Sequence, residues 1–369
     1  MTNPTQPSFR NLPTSRFCQA LVFVYGLLIA AAGTSARALE VKKLELVRET
    51  KETLASFGVI SVGDMIVTEE ALYLAVHQDT AGRGHCILVL DKTGRFIRET
   101  GRGLGRGPGE LEAPQEISIW GNEIMINDLF GISYYDLKGR YIRRFCPFTL
   151  EISTVYLEDK LYIAASNPNT TSLFEAYTPE GKFLFEFGRK FKSIDESLLK
   201  ERNIYAVLLP FMGKLLTDGD ILYYLNSTFG MAIAFNPDGT ERMSADLSSC
   251  FGNVGNNIVE ENERLWVKGE LGKGSFSMNL LFLDAYLAGS QIYLLHRPGT
   301  MMSSYLEGKP SGPRILALDK ETLQPVDEYA APVMSTIMAV EMNDSGPLFY
   351  FFETRPEESG RILIYKEKK

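Results

Sequence analysis

Histidine is scarce in this 369-residue chain: His77, His85 and His296 are the whole supply, beside four cysteines and two tryptophans. A zinc centre draws its ligands mainly from histidine and cysteine. Neither residue occurs in a C-x-x-C or H-E-x-x-H spacing, so multi-metal and disulfide-scaffold classes are excluded. Positive charge is in deficit, with 38 Lys+Arg against 46 Asp+Glu and a net charge of −8. Nucleic-acid binders carry a basic footprint, and this chain has none overall. It also lacks a G-x-S-x-G elbow and a GK[ST] phosphate loop. No apolar run reaches the ~20 residues of a membrane-spanning helix. What is abundant is aromatic and apolar: 17 Tyr, 22 Phe and 45% hydrophobic residues, ample for a packed core.

The stretch nearest to a span is 20–33 (ALVFVYGLLIAAAG). Arg10 and Arg16 precede it and Ala36-Arg37-Ala38 follows, the order of a secretory leader with an A-x-A cleavage site. This predicts a signal peptide over 1–38 and a single exported domain over 39–369, periplasmic or extracellular, with no span in the mature chain. Cys18 lies before the apolar run, where a lipid-acceptor cysteine would follow it. The leader holds three Arg and no acid, so the mature chain carries −11. Its remaining cysteines, Cys86, Cys146 and Cys250, sit in strand-like settings and are expected as core residues.

The body of the chain repeats a turn. Ile87-Leu88-Val89-Leu90-Asp91 runs into Lys92-Thr93-Gly94, and Ile132-Ser133-Tyr134-Tyr135-Asp136 into Leu137-Lys138-Gly139. Further copies pass through Pro179-Glu180-Gly181, Pro237-Asp238-Gly239 and Lys320-Glu321-Thr322, and a sixth apolar run, 362–365, ends the chain. Asp, Asn or Thr opens each turn and Gly supplies the positive φ in four of them, the chemistry of a hairpin. A second strand pattern follows each turn and a pair of strands precedes each apolar run. The pattern predicts four antiparallel strands per unit and six units. Two spacings are long: 188–218, where 193–203 has a helical pattern, and 248–279, polar and Gly-rich. The last unit stops after its third strand, while the mature chain opens with an orphan strand, Val41-Lys42-Lys43-Leu44-Glu45-Leu46-Val47. Supplying that strand to the last unit would close a ring. The expected fold is all-β, a six-bladed β-propeller of four-stranded antiparallel blades, closed by the N-terminal strand.

Gly103-Leu104-Gly105-Arg106-Gly107-Pro108-Gly109-Glu110, with Ala113-Pro114, the strands over 117–127 and the turn Asp136 to Gly139, resembles NHL-type propellers. The chain is most similar to an exported bacterial six-bladed β-propeller family of unassigned role. The likeness is densest over 71–187 and implies the fold without a function. Related propellers include calcium-dependent lactonases and a zinc-dependent lyase, so the resemblance also raises an enzymatic alternative.

Ligand sites of propellers gather where second strands hand over to third strands. The residues at that place are His77 and Asp79, Asp128, Asn167, Asn226, His296 and Arg297, and Glu353 and Arg355. Arg102 and Arg106 of the Gly-rich segment add positive charge. That segment is expected as a tight crossover, because a strand follows it and no helix N-terminus is available for phosphate. Long loops on a rigid scaffold carry function, and this polar ring is the expected binding face for a protein, peptide or glycan. No cofactor is demanded; calcium would suit the oxygens of Asp79, Asp128, Asn167, Asn226 and Glu353, as a lactonase-like hydrolase would require. A closed ring without free edges predicts a monomer.

Overall fold

Asp136 shows why the repeated turn folds as it does. Its Oδ1 accepts the N–H groups of Lys138 (2.9 Å) and Arg140 (2.8 Å), and its backbone carbonyl accepts Gly139 N–H (2.8 Å). Gly139 stands at φ +83°, a conformation that L side chains rarely adopt. A Cβ there would lie 2.7 Å from Thr100 Oγ1 of the preceding sheet, so the absent side chain also lets neighbouring sheets close up. Gly94, Gly181 and Gly239 repeat the arrangement against Thr50, Phe145 and Phe187.

The computed structural model describes residues 39–79, 85–128, 131–147, 150–166, 172–189, 213–264, 280–296, 313–355 and 358–368. The chain divides into two units, Met1–Glu40 and Val41–Lys369. The predicted leader over 1–38 lies outside the described residues, as does the predicted helix over 193–203. Among the described residues no helix is long and apolar enough to cross a membrane.

The second unit is all-β. After β1 (Val41–Thr50) comes a sheet of β2 (Val59–Val67), β3 (Ala71–Asp79), β4 (Cys86–Asp91) and β5 (Phe96–Thr100). The next holds β6 (Glu116–Trp120), β7 (Glu123–Asp128), β8 (Gly131–Asp136) and β9 (Tyr141–Phe145). The third holds β10 (Leu150–Leu157), β11 (Lys160–Ser166), β12 (Ser172–Tyr177) and β13 (Phe183–Arg189). The fourth holds β14 (Gly213–Thr217), β15 (Leu222–Asn226), β16 (Met231–Phe235) and β17 (Glu241–Asp246).

The remaining strands are β18 (Asp284–Ala288), β19 (Gln291–His296), β20 (Arg314–Asp319), β21 (Pro325–Ala330), β22 (Met338–Asn343), β23 (Gly346–Arg355) and β24 (Glu358–Glu367). With β1 they form one eight-stranded sheet of order β18-β19-β20-β21-β1-β24-β23-β22. Within it β1 does two things. Val41 to Lys43 pair in parallel with Glu328 to Ala330 of β21, and from Leu44 onward β1 runs antiparallel along β24, Leu44 opposite Glu367 and Thr50 opposite Ile362.

The core lies between consecutive sheets, which explains why second and third strands are apolar on both faces. Leu72, Leu74 and Val76 of β3 pack with Leu88, Leu90, Tyr350, Phe352 and Ile364, while Tyr73 and Ala75 turn the other way onto Val89, Ile124 and Ile126. Met125 and Tyr134 then meet Tyr156 and Ile163, and Tyr162 and Phe174 meet Leu222 and Tyr224. Large aromatics fill these wedges in edge-to-face pairs, such as Phe174 with Tyr224 at 4.8 Å. The first strands β2, β6, β10, β14, β18 and β22 are neighbours in that order, and β22 returns to β2. The architecture is that of a β-propeller.

The polar, Gly-rich insertion after β17 has elements of its own: Ser248–Phe251 forms a 3₁₀ turn and Gly252–Asn262 an α-helix. That helix is held by Ile258, which is buried, and by Asn262 Nδ2, which donates to Thr228 O (2.8 Å). The apolar pattern of Leu281 to Leu287 predicts a strand over that range, and it starts only at Asp284, Leu281 N–H being taken by Ser227 O (2.8 Å). Of the cysteines, Cys86 is buried as expected, but Cys146 is exposed and Cys250 half-buried.

Candidate binding face and the axis beneath it

Each sheet has two unlike ends. At one, first strands meet second strands and third meet fourth through short turns, 121–122, 158–159, 289–290 and 344–345 being only two residues long. The other carries the second-to-third connections and those between sheets. Its longest are 190–212, 247–283 and 297–313. The described members of the predicted polar ring lie at this second end, where β3, β7, β11, β15, β19 and β23 finish.

Several ring members are held locally. Asp128 is buried and accepts from Glu112 N–H and Arg144 Nη2, each at 3.1 Å. Asn226 is fully buried: its Oδ1 accepts Phe229 N–H (2.7 Å) and its Nδ2 donates to Tyr224 Oη (3.0 Å), shaping the β15–β16 turn. Glu353 Oε2 accepts from Arg361 Nε, and Arg361 also bonds Glu49 (2.9 Å). His296 is buried edge-on against Phe251, with ring centroids 4.9 Å apart. Burial, aided by the Arg314 charge, pushes its pKa down to about 3, so the imidazole is neutral. His77 is half-buried beside the Pro114 carbonyl, and burial lowers its pKa as well.

Asp79 and Arg355 end strands β3 and β23, and Asn167 and Arg297 lie outside the described residues. Arg102 and Arg106 are exposed, the latter paired with Glu112 (2.6 Å). The Gly-rich crossover cradles a carboxylate of its own: Glu110 Oε2 accepts Gly107 N–H (2.7 Å). Arg144 clamps the same crossover by donating to the carbonyls of Arg106 and Glu110.

Beneath the ring, on the first strands, lies a cluster absent from the predicted set. Lys214 Nζ of β14 reaches Asp284 Oδ1 of β18 (2.7 Å) and Asp64 Oδ1 of β2 (3.3 Å). The other bonds follow one rule. The inner edge of a first strand has no strand to pair with, and its N–H groups need partners. Asp64 Oδ2 accepts Ile117 N–H (2.9 Å), Glu116 Oε2 accepts Thr154 N–H (2.8 Å), Ser153 Oγ accepts Leu215 N–H (2.9 Å), and Asp284 Oδ2 accepts Met338 N–H (2.8 Å). Each polar residue thus caps the residue just after its counterpart in the next first strand.

Burial alone would lower the Lys214 pKa, but the charges of Asp284, Asp64 and Glu116 outweigh it and raise it. Deeper in, Tyr286 of β18 crosses to β2, where its hydroxyl accepts from Val67 N–H (3.2 Å) and donates to Val67 O (3.1 Å). The axis is bridged twice, by Lys214 and by Tyr286. Sequence held the signal for this cluster. One charged residue precedes a short apolar run in Asp64-Met65-Ile66 within β2, in Lys214-Leu215-Leu216 one residue into β14, and in Glu116-Ile117 and Asp284-Ala285 at the starts of β6 and β18.

Among the described residues no three His, Cys, Asp or Glu side chains are grouped so as to hold a metal ion. No family model matches the chain, and no curated protein matches it. Solved structures do. A protein described as exported from Bacteroides fragilis aligns at 14% identity over 91% of this chain and 98% of its own, with a TM-score of 0.53. A DUF4221 member from Bacteroides vulgatus aligns at 11% identity over 89% of this chain and 100% of its own, TM-score 0.51. The WD40 repeats of RRP9 align at 8% identity over 89% and 100%, TM-score 0.51. These likenesses are of fold.

Proposed function

We propose that residues 39–369 form an exported, monomeric six-bladed β-propeller that binds a protein, peptide or glycan, without catalysis and without a cofactor, on the face that carries the long connections. Six blades follow if the eight-stranded sheet is counted as two antiparallel runs of four. The three parallel pairs of β1 with β21 are what join those runs. Kinship with NHL-type propellers is part of the same proposal and rests on the segment 103–110 and its flanking strands.

The observation that carries the binding reading is the inequality of the two ends. One is trimmed to tight turns, and from the other depart the long chain segments that follow β13, β17 and β19, of which the docked helix Gly252–Asn262 is described. Insertions gathered at one end of a rigid scaffold are the usual form of a recognition surface. The calcium-dependent lactonase alternative draws less support. The axial carboxylates are spent on Lys214 and on strand-edge N–H groups, and Asp128, Asn226 and Glu353 each serve their own surroundings.

The test is a glycan array and a peptide library probed with the wild-type protein and two surface variants. Asn256→Arg/Glu260→Arg alters exposed positions of the docked helix, and Lys138→Glu/Glu180→Lys alters the turn end. Binding that the first variant weakens and the second leaves intact is the expected result, and the library that responds names the ligand class. Calcium-dependent turnover of lactones, abolished by one acidic substitution, would replace this reading with the enzymatic one.

A further inference from the structure

Three carboxyl groups and one ammonium group share the axis, and the bonds are not evenly divided. Lys214 gives its bonds to Asp284 and Asp64. Glu116, only 8% exposed, has neutral donors on both oxygens: Ser153 Oγ on Oε1 (2.7 Å) and Thr154 N–H on Oε2 (2.8 Å). The groups around it can be named strand by strand. Asp64 faces it from β2, where it accepts the N–H of Ile117, the residue after Glu116. β3 brings His77, beside Pro114. β7 brings Asn127, paired with Glu116, and Asp128, which is already bonded to Arg144. Among the described residues β10 brings the hydroxyls of Ser153 and Thr154, β14 brings Lys214, and β18 brings Asp284. With every acid ionised the cluster would hold a net charge of −2 in a buried place.

We propose that Glu116 carries a proton in mildly acidic solution, and that losing it as the solution turns alkaline slackens the seam joining β6, β10 and β14 beneath the candidate face. The physical cause is desolvation. Burial raises the Glu116 carboxyl to about 7, against the opposing charge of Lys214 and with that of Asp64 adding to the rise. The protonated acid keeps both contacts. One oxygen still accepts from Thr154, and the hydroxyl can donate to Ser153 Oγ, which in turn accepts Leu215 N–H.

The sign is fixed by proton counting. Between the unfolded value near 4.5 and the folded value near 7, the native state holds the proton and the unfolded chain does not. Stability contributed here is therefore present below about 4.5 and lost as pH rises through about 7.

The test is denaturant unfolding of the wild-type protein and Glu116→Gln from pH 5 to pH 8.5. Gln keeps an oxygen for Thr154 and an amide for Ser153. Relative to the variant, the wild-type folded-to-unfolded ratio should fall about 10²-fold across that range. In parallel, amide exchange at Thr154 and Leu215, corrected for its intrinsic pH dependence, should quicken above pH 7 in the wild type and not in the variant. Parallel stability profiles, or exchange that changes alike in both, would overturn the proposal. Should Glu116→Gln fail to fold, Ser153→Ala serves. It removes a donor that favours the ionised form and should move the wild-type transition to higher pH, and an unmoved transition would likewise overturn it.

Discussion

At the scale of single residues, the axis is governed by the need to pair what is buried. Lys214 has two carboxylates and Asp64 and Asp284 depend on it, so removing the ammonium group strands two charges. Lys214→Met should cost about 3–5 kcal/mol of stability, read from urea unfolding, because an uncompensated buried charge is penalised more than the intact pair is rewarded. Adding Asp64→Asn and Asp284→Asn to that variant should recover most of the loss, since the amides can still accept the Ile117 and Met338 N–H groups. A second test is His296. Its pKa is pushed below the ordinary histidine value, so the unfolded chain binds the proton first and stability falls as pH drops from about 6.5 to about 3. His296→Phe should flatten that acid limb, removing up to about 5 kcal/mol of pH dependence. An equally steep acid limb in the variant would show that the imidazole is not its source.

At the scale of elements, turns were the part most open to sequence. A glycine at positive φ after Asp or Asn is a local requirement and stays visible whatever surrounds it. Gly139→Ala should therefore cost about 2 kcal/mol or more, combining left-handed strain with the Thr100 contact. Lys138→Ala in the same exposed turn should stay within about 0.5 kcal/mol. Thermal unfolding of both variants separates the two costs from a general sensitivity of the turn. The candidate site was less legible, for a reason visible in Asn226 and Asp128. A polar residue at a strand end looks the same in sequence whether it waits for a ligand or caps its own turn, and both do the latter. The axial cluster was missed for the converse reason. Asp64 inside β2, and Glu116 and Asp284 at their strand starts, each look like a stray charge until the closing of the first strands brings them together. The helix after β17 was hidden by its glycines, Gly252 and Gly255, which speak against a helix locally. Gly255 is buried there, its absent side chain leaving room for Ser248 O.

For the molecule as a whole, the orphan strand ahead of the first full sheet was readable, because a chain that ends one strand short and begins with a spare one has a single economical solution. The structure adds that β1 leans on β21 before it joins β24, so it fastens two runs of strands at once. Lys368 N–H bonds Lys43 O (2.8 Å), which places the chain end beside the start of β1. A circular permutant that begins at Lys51 and carries 39–50 after Lys368, through a turn of about 2–5 residues, should fold to native-like stability. It should also fold faster, since its last pairing becomes a local hairpin. Deleting 39–50 outright should abolish cooperative unfolding in calorimetry.

The pairing of the first strand with the last also sets an order of events. As the chain emerges, β1 meets neither of its partners until β21 and then β24 are made, and in that time it offers Leu46 and Val47 to any exposed partner. Two copies caught in that interval each present a free β24 edge and a free β1. Exchange of β1 between them would close both rings as a swapped dimer, with the pairing seen within one chain now made across two.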